Sequence, residues 1–191
     1  SFNYKYQLRT HNYLFWPDGI FSKYLLNKSK VPGREIFKKL ISKLGKNKKN
    51  FRKIYVIGSI PKISKKYLNK KFNFEYNHIN LPYKSNEQFK KFGKKLNLED
   101  ESFIILTLPT PKQEILANEI IKINPNSNIL CLGGTINILS GHEKQTPDFF
   151  NLLNLEWLWR LKFDSKRRIK RLVESFIILL KLIILRKNTI F

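Results

Sequence analysis

The chain has 191 residues, 42% of them hydrophobic, and a formal net charge of +23. That length supports one domain with a sizeable core. A single cysteine, Cys131, excludes an internal disulfide, and its place in an apolar run favours a buried thiol over a nucleophile. Residues 1–12 are polar and aromatic and lack the apolar segment of a secretory leader, so a reducing cytoplasm is the expected compartment. Methionine is absent even at position 1, and the chain is therefore read as a fragment or a trimmed form.

In chain order, Tyr13–Phe15 fits a short strand and Gly19–Leu26 a helix starting after Asp18. Gly33–Leu44 carries Ile36, Phe37, Leu40, Ile41 and Leu44 at helical spacing. Ile54–Ile57 is an apolar run ending at Gly58-Ser59, which predicts a buried strand, and a helix follows from Pro61. Phe72–Ile79 is predicted as a strand, Asn86–Leu96 as a helix and Phe103–Leu106 as a strand. Pro111–Ile123 then reads as a helix and Ile129–Leu132 as a strand. This alternation predicts an α/β fold, Rossmann-like, with a mostly parallel sheet and helices on both faces. The expected division is a domain over 1–150 and a basic, amphipathic helical appendage over 151–191.

The positive charge has two distributions. Over residues 38–95 it fits a solvated surface rich in Lys, Asn and Ile, or a nucleic-acid interface, although no DNA- or RNA-binding motif accompanies it. From Arg160 to Lys187, ten Lys and Arg face two acids, and eleven of the fourteen residues Leu172–Leu185 are apolar. That run is shorter than the roughly 20 residues that span a bilayer. It suits a helix lying in the membrane interface over anionic head groups, or else a core helix.

Three stretches concentrate the chemistry: Thr107–Glu114 (TLPTPKQE), Leu132–Gly141 (LGGTINILSG) and Leu155–Arg171 (LEWLWRLKFDSKRRIKR). The first two follow apolar runs and end in small or polar residues, the arrangement in which open α/β sheets bind ligands. In this order and spacing, Pro111-Lys112-Gln113-Glu114, Gly133-Gly134 through Ser140-Gly141, and Glu156-Trp157-Leu158-Trp159-Arg160-Leu161 with Arg167 and Arg171 resemble the WecG/TagA/CpsF family of bacterial glycosyltransferases, glycosyltransferase family 26. Pro17-Asp18-Gly19-Ile20 and Pro32-Gly33-Arg34-Glu35 resemble two earlier elements of the same pattern, so the likeness covers roughly Tyr13 to Arg171.

The resemblance implies an inverting, UDP-sugar-dependent glycosyltransferase. It would move a hexosamine-type sugar, N-acetylmannosamine or its uronic acid, to a polyprenyl-diphosphate-linked acceptor. The setting it implies is cell-surface polysaccharide or teichoic acid synthesis, peripherally at the inner face of the cytoplasmic membrane. The implied partners are the donor, the acceptor and an anionic membrane surface, with no nucleic acid; a second copy of the chain is compatible with this. A strand that the family carries upstream, with a Thr/Asn-bearing loop over the donor pocket, is expected to be missing or vestigial here. The alternative class is a non-catalytic basic module that binds membrane or nucleic acid.

Residue by residue, Asp18 at a tight corner fits a helix N-cap; the resemblance makes it the general base for the acceptor hydroxyl. Glu35 and Glu114 are the other carboxylates near element ends, and Glu114 also suits the positive start of its own helix. Lys112 and Gln113 suit a phosphate and a sugar or base edge, or a solvated helix start. Gly133 and Gly134 allow close backbone approach. Asn137 stands where the family usually has Asp, Lys30 where it often has Arg, and Gln145-Thr146-Pro147 replaces a usual Arg-Ala-Pro. Arg160, Arg167 and Arg171, spaced by seven and four, would share a face on one continuous helix, with a break an alternative at Ser165, where the family has Pro; they fit the acceptor diphosphate or a solvated surface. A Walker box and a Gly-x-Gly-x-x-Gly fingerprint are both lacking, and His11, His78 and His142 are scattered. No cofactor and no catalytic metal are therefore expected.

Overall fold

A computed structural model describes residues 33–46, 52–72, 75–81, 85–147, 149–150, 153 and 155–162, with 169–170, 173–174 and 176–177. The strand expected over 13–15 and the helix over 19–26 lie outside the described residues. So do Asp18, Lys30, Arg167 and Arg171.

The described strands are β1 (Ile54–Ile57), β2 (Asn77–Ile79), β3 (Phe103–Leu106) and β4 (Asn128–Cys131). The helices are α1 (Gly33–Lys46), α2 (Lys62–Lys71), α3 (Asn86–Lys95), α4 (Lys112–Ile123), α5 (Thr135–Leu139) and α6 (Glu156–Leu161). The strands pair in parallel in the order β2-β1-β3-β4. With right-handed crossovers, this order carries the chain from β1 through α2 to β2 on one face of the sheet. It then returns past β1 to β3 through α3, and on to β4 through α4, on the other face. The fold is Rossmann-like α/β, as the alternation predicts.

Burial explains the two central strands. All four residues of β1 and of β3 are buried, the pattern of parallel strands covered on both faces. Alternate residues Ile54, Val56, Phe103 and Ile105 join Phe37 of α1, Leu68 of α2, Leu132 and Ile136 of α5 in one core. Tyr55, Ile57, Ile104 and Leu106 therefore point to the opposite face, where α3 and α4 contribute Phe89, Leu116 and Ile120. Each such side chain stabilises the fold by about 1.5–3 kcal/mol when fully buried. The α3–α4 contact is close because residue 93 is glycine: a Cβ there would lie 2.7 Å from the Cβ of Glu119. Ser85 starts α3 with a capping box, its hydroxyl accepting from the Gln88 N–H while the Gln88 side chain accepts from the Ser85 N–H.

Three boundaries differ from the sequence reading. Within the strand expected over 72–79 the described strand is Asn77–Ile79, and Phe72 instead caps the end of α2 and packs its ring edge-on to Phe37 and Tyr76. The last strand is shifted by one residue to Asn128–Cys131, in register with Phe103–Leu106, and is only partly buried at the end of the described sheet. Pro61 and Pro111 stand at the caps of α2 and α4 rather than inside their first turns.

The lysines of α1 whose side chains are described (Lys38, Lys39, Lys43) and those of α2 (Lys62, Lys65, Lys66, Lys70, Lys71) and α3 (Lys90, Lys91, Lys94, Lys95) are all exposed. Much of the positive charge of residues 38–95 thus lies in solvent on helix surfaces. The chain divides into two compact units, and the sheet lies within His11–Gln145. In the unit that contains the stretch from Thr146, α6 sets Trp159 against Phe150, with ring centroids 5.4 Å apart. There Phe149, Leu153, Leu158, Ile169, Val173, Phe176 and Ile177 are exposed.

Candidate active site at the strand exits

The strand order reverses between β1 and β3, since β1 connects to the strand on one side of it and β3 stands on the other. In open α/β sheets such a switch point opens a crevice beyond the carboxyl ends of the strands. Here the two exits touch. Gly58 leaves β1 with φ +139°, and a Cβ at that position would lie 2.1 Å from Thr107 Oγ1 at the end of β3. Only glycine tolerates that backbone so close to a neighbour. Thr107 donates its backbone N–H and its hydroxyl to the Ile57 carbonyl, at 3.0 and 3.2 Å. On the other side, His78 Nε2 donates to the Gly58 carbonyl at 2.9 Å, which brings a histidine of β2 to the same rim.

The exit of β3 runs through Pro109, Thr110 and Pro111, with a cis Thr110–Pro111 peptide, into α4. Gln113 in the first turn is buried, and its amide is committed at both ends. Its Oε1 accepts from the Gly133 N–H at 3.0 Å, where β4 exits in a left-handed turn, φ +57°. Because a backbone N–H can only donate, the amide nitrogen faces the other way. Nε2 donates to Thr110 Oγ1 at 3.3 Å and to Glu114 Oε1 at 3.1 Å. Thr110 Oγ1 in turn donates to Glu114 Oε1 at 3.0 Å. The second carboxylate oxygen, Glu114 Oε2, is buried with no hydrogen-bond partner among the described residues. Buried polar atoms are nearly always satisfied, and this oxygen beside two strand exits is an exception.

Glu114 also acts on Cys131. Burial first, and the Glu114 charge second, push the Cys131 thiol up to about 12 from an ordinary 9.0. The thiol is neutral at physiological pH and is not a nucleophile.

The structure brings Gln113, Glu114 and Gly133 together, with Gly134 next along the turn. Two expected ligand-binding side chains have protein neighbours. The Lys112 ammonium lies 5.3 Å from the centre of the Phe89 ring on α3, and the residue is buried. Asn137 Oδ1 accepts from the wholly buried Ser64 hydroxyl of α2 at 2.9 Å, and Nδ2 donates to Glu143 Oε1 at 3.4 Å. Arg160 falls within α6, but its side chain lies outside the described residues. Thr110, His78, Ser64 and Glu143 were not singled out from sequence for this site. For Thr110 a local signal existed, since it adjoins the Pro-Lys-Gln-Glu box; Ser64 and Glu143 reach the site only through tertiary contacts.

Among the described residues, no group of three or more His, Cys, Asp or Glu could hold a metal ion. No described helix is long and apolar enough to cross a membrane. A family model described as "Glycosyl transferase WecG/TagA/CpsF family" matches residues 11–190, nearly the whole chain.

Proposed function

The chain belongs to the glycosyl transferase WecG/TagA/CpsF family, and from that premise we propose that it transfers a hexosamine-type sugar, N-acetylmannosamine or its uronic acid, from a UDP-sugar to a polyprenyl-diphosphate-linked acceptor. Transfer is with inversion and serves cell-surface polysaccharide or teichoic acid synthesis. The observation that carries this reading is the Thr110–Gln113–Glu114–Gly133 cluster, which joins the exits of β3 and β4 and leaves Glu114 Oε2 buried without a hydrogen-bond partner among the described residues. In the reaction, the Asp18 carboxylate takes the proton of the acceptor hydroxyl as its oxygen attacks the anomeric carbon. The bond from that carbon to the UDP oxygen breaks, and UDP departs from the strand exits. Arg160, Arg167 and Arg171 hold the acceptor's diphosphate with permanently charged guanidinium groups.

The acceptor is membrane-bound, so the chain works peripherally on the inner face of the cytoplasmic membrane. Support comes from the exposed Ile169, Val173, Phe176 and Ile177, which recur at helical spacing within and just after a basic run. Calorimetric titration in the presence of a chelator tests the donor assignment. UDP should bind without divalent metal and more tightly than ADP or inorganic phosphate. Equal affinity for the three would remove the sugar-nucleotide reading and leave a basic membrane- or nucleic-acid-binding module.

A further inference from the structure

The amide of Asn137 is orientated by its two neighbours. The Ser64 hydroxyl donates to Oδ1, and a carboxylate can only accept, so Nδ2 must face Glu143. Glu143 is held a second time through its backbone, whose N–H donates to the Asn137 carbonyl at 3.0 Å. The carboxylate so placed stands over the turn that leaves β4. A Cβ on Gly134 would lie 3.6 Å from Oε1 and 3.8 Å from Oε2 of Glu143. The next residue back, Gly133, is the one bonded to Gln113. Glu143 is exposed, and among the described residues Oε2 has no partner. An acidic side chain is thus fixed at a strand exit with one oxygen committed to protein and the other open.

The chemistry of that oxygen limits what it binds. A carboxylate offers only acceptors, so its ligand must donate. A phosphate is repelled by like charge. Cation coordination needs further ligands, and the described residues provide no cluster of them. Neighbouring hydroxyls on a sugar ring can both donate to one carboxylate, one to the open Oε2 and the other to the lone pair that Asn137 leaves on Oε1. We propose that Glu143, held in place by Asn137, is a specificity-determining residue that accepts hydrogen bonds from a vicinal diol of the ligand. The diol belongs to the nucleotide ribose or to the transferred sugar. The assignment rests on the sugar-nucleotide reading above.

Glu143→Gln keeps the size of the side chain and removes its charge, and unchanged thermal melting would show that the turn is intact. Calorimetry should then show affinity for UDP or a UDP-sugar falling by roughly tenfold or more, the scale of a lost hydrogen bond to a charged group. Ligand truncation separates a direct contact from a structural effect. If the ribose diol is the contact, 2′,3′-dideoxy-UDP, which lacks both hydroxyls, should bind the wild-type chain and Glu143→Gln equally, because the missing diol and the missing charge are the same interaction. A loss seen with UDP assigns the ribose diol, and a loss seen only with UDP-sugars assigns the transferred sugar. Gly134→Ala is a second variant, since its backbone is unstrained and the added methyl finds ordinary contact distances. It should weaken the same ligands by covering the carboxylate. If the wild-type chain binds uridine nucleotides and Glu143→Gln binds UDP and UDP-sugars as tightly, this inference fails alone. If the wild-type chain binds no uridine nucleotide, the donor-site reading fails with it.

Discussion

Gln113 Oε1 accepts the Gly133 N–H at 3.0 Å, so one buried side chain at the start of α4 fixes the turn by which β4 leaves the sheet. The same amide donates to Thr110 and Glu114. A carboxylate, a hydroxyl and a glycine turn from two strand exits are thereby set in one geometry. Gln113→Ala should weaken UDP binding by about tenfold and lower stability by about 1–3 kcal/mol, the range for a buried donor left unpaired. Calorimetry and denaturant unfolding measure the two effects. Gln113→Glu should be worse, because it sets a second carboxylate against Glu114. Unchanged UDP affinity in both variants would detach this bridge from the donor site.

Asp18→Asn should lower turnover by at least about a hundredfold, the scale of a lost general base, with thermal melting unchanged. Near wild-type turnover would leave Asp18 as a helix cap. A loss of melting temperature without loss of turnover in the surviving fraction would say the same.

Gly58→Ala should destabilise the chain by about 2 kcal/mol or more, since the backbone at φ +139° is strained for any L side chain and the new Cβ meets Thr107 Oγ1. Removing the Thr107 Oγ1 as well, in Gly58→Ala/Thr107→Ala, should relieve the collision only in part. The backbone strain remains, and the Thr107 carbonyl carbon is 3.4 Å from the Cβ position. Full recovery of Tm in the double variant would show that strain at residue 58 is unimportant.

Cys131 makes a pH prediction whose sign follows from its raised thiol. The folded state keeps the proton up to about 12 while an exposed thiol releases it near 9.0, so between those values the folded state holds more protons. Stability from this group is therefore complete below pH 9 and falls as pH rises through that window. Subtracting the unfolding profile of Cys131→Ala from that of the wild type isolates it from lysine and tyrosine titration, and the difference should decline above pH 9. At pH 8, native Cys131 should resist a disulfide reagent that labels the unfolded chain rapidly. Fast labelling of the native chain would contradict the burial of the thiol.

Liposome sedimentation tests the C-terminal stretch. The full chain should bind anionic vesicles more tightly than a version ending near Asp164. Part of that difference should be screened by salt and part should persist through the exposed Val173, Phe176 and Ile177. Equal partitioning of the two chains, or tighter binding of the full chain to duplex DNA, would promote the non-catalytic alternative.

Sequence by itself determined the elements whose signal is local. Ile54–Ile57 and Phe103–Leu106 are legible as strands because a parallel strand buried on both faces must be apolar at every position. Five ordered elements, Pro-Asp-Gly-Ile, Pro-Gly-Arg-Glu, Pro-Lys-Gln-Glu, Gly-Gly through Ser-Gly and Glu-Trp-x-x-Arg-Leu, identified the family, which the match over residues 11–190 bears out. Phe72 shows where local pattern fails. Its apolar, aromatic neighbourhood resembles a strand, yet its ring is taken up by Phe37 and Tyr76 in the core at the end of α2. Only tertiary structure decided the strand order, and with it the touching exits of β1 and β3 at Gly58 and Thr107. Nor could pattern show that Gln113 reaches a glycine twenty positions away, or that Asn137 is orientated by a serine seventy-three positions away. Periodicity records which face of an element leaves water, a property of neighbours along the chain. A hydrogen bond between two exits depends on how the crossovers stack the strands, and no local window of sequence contains that information.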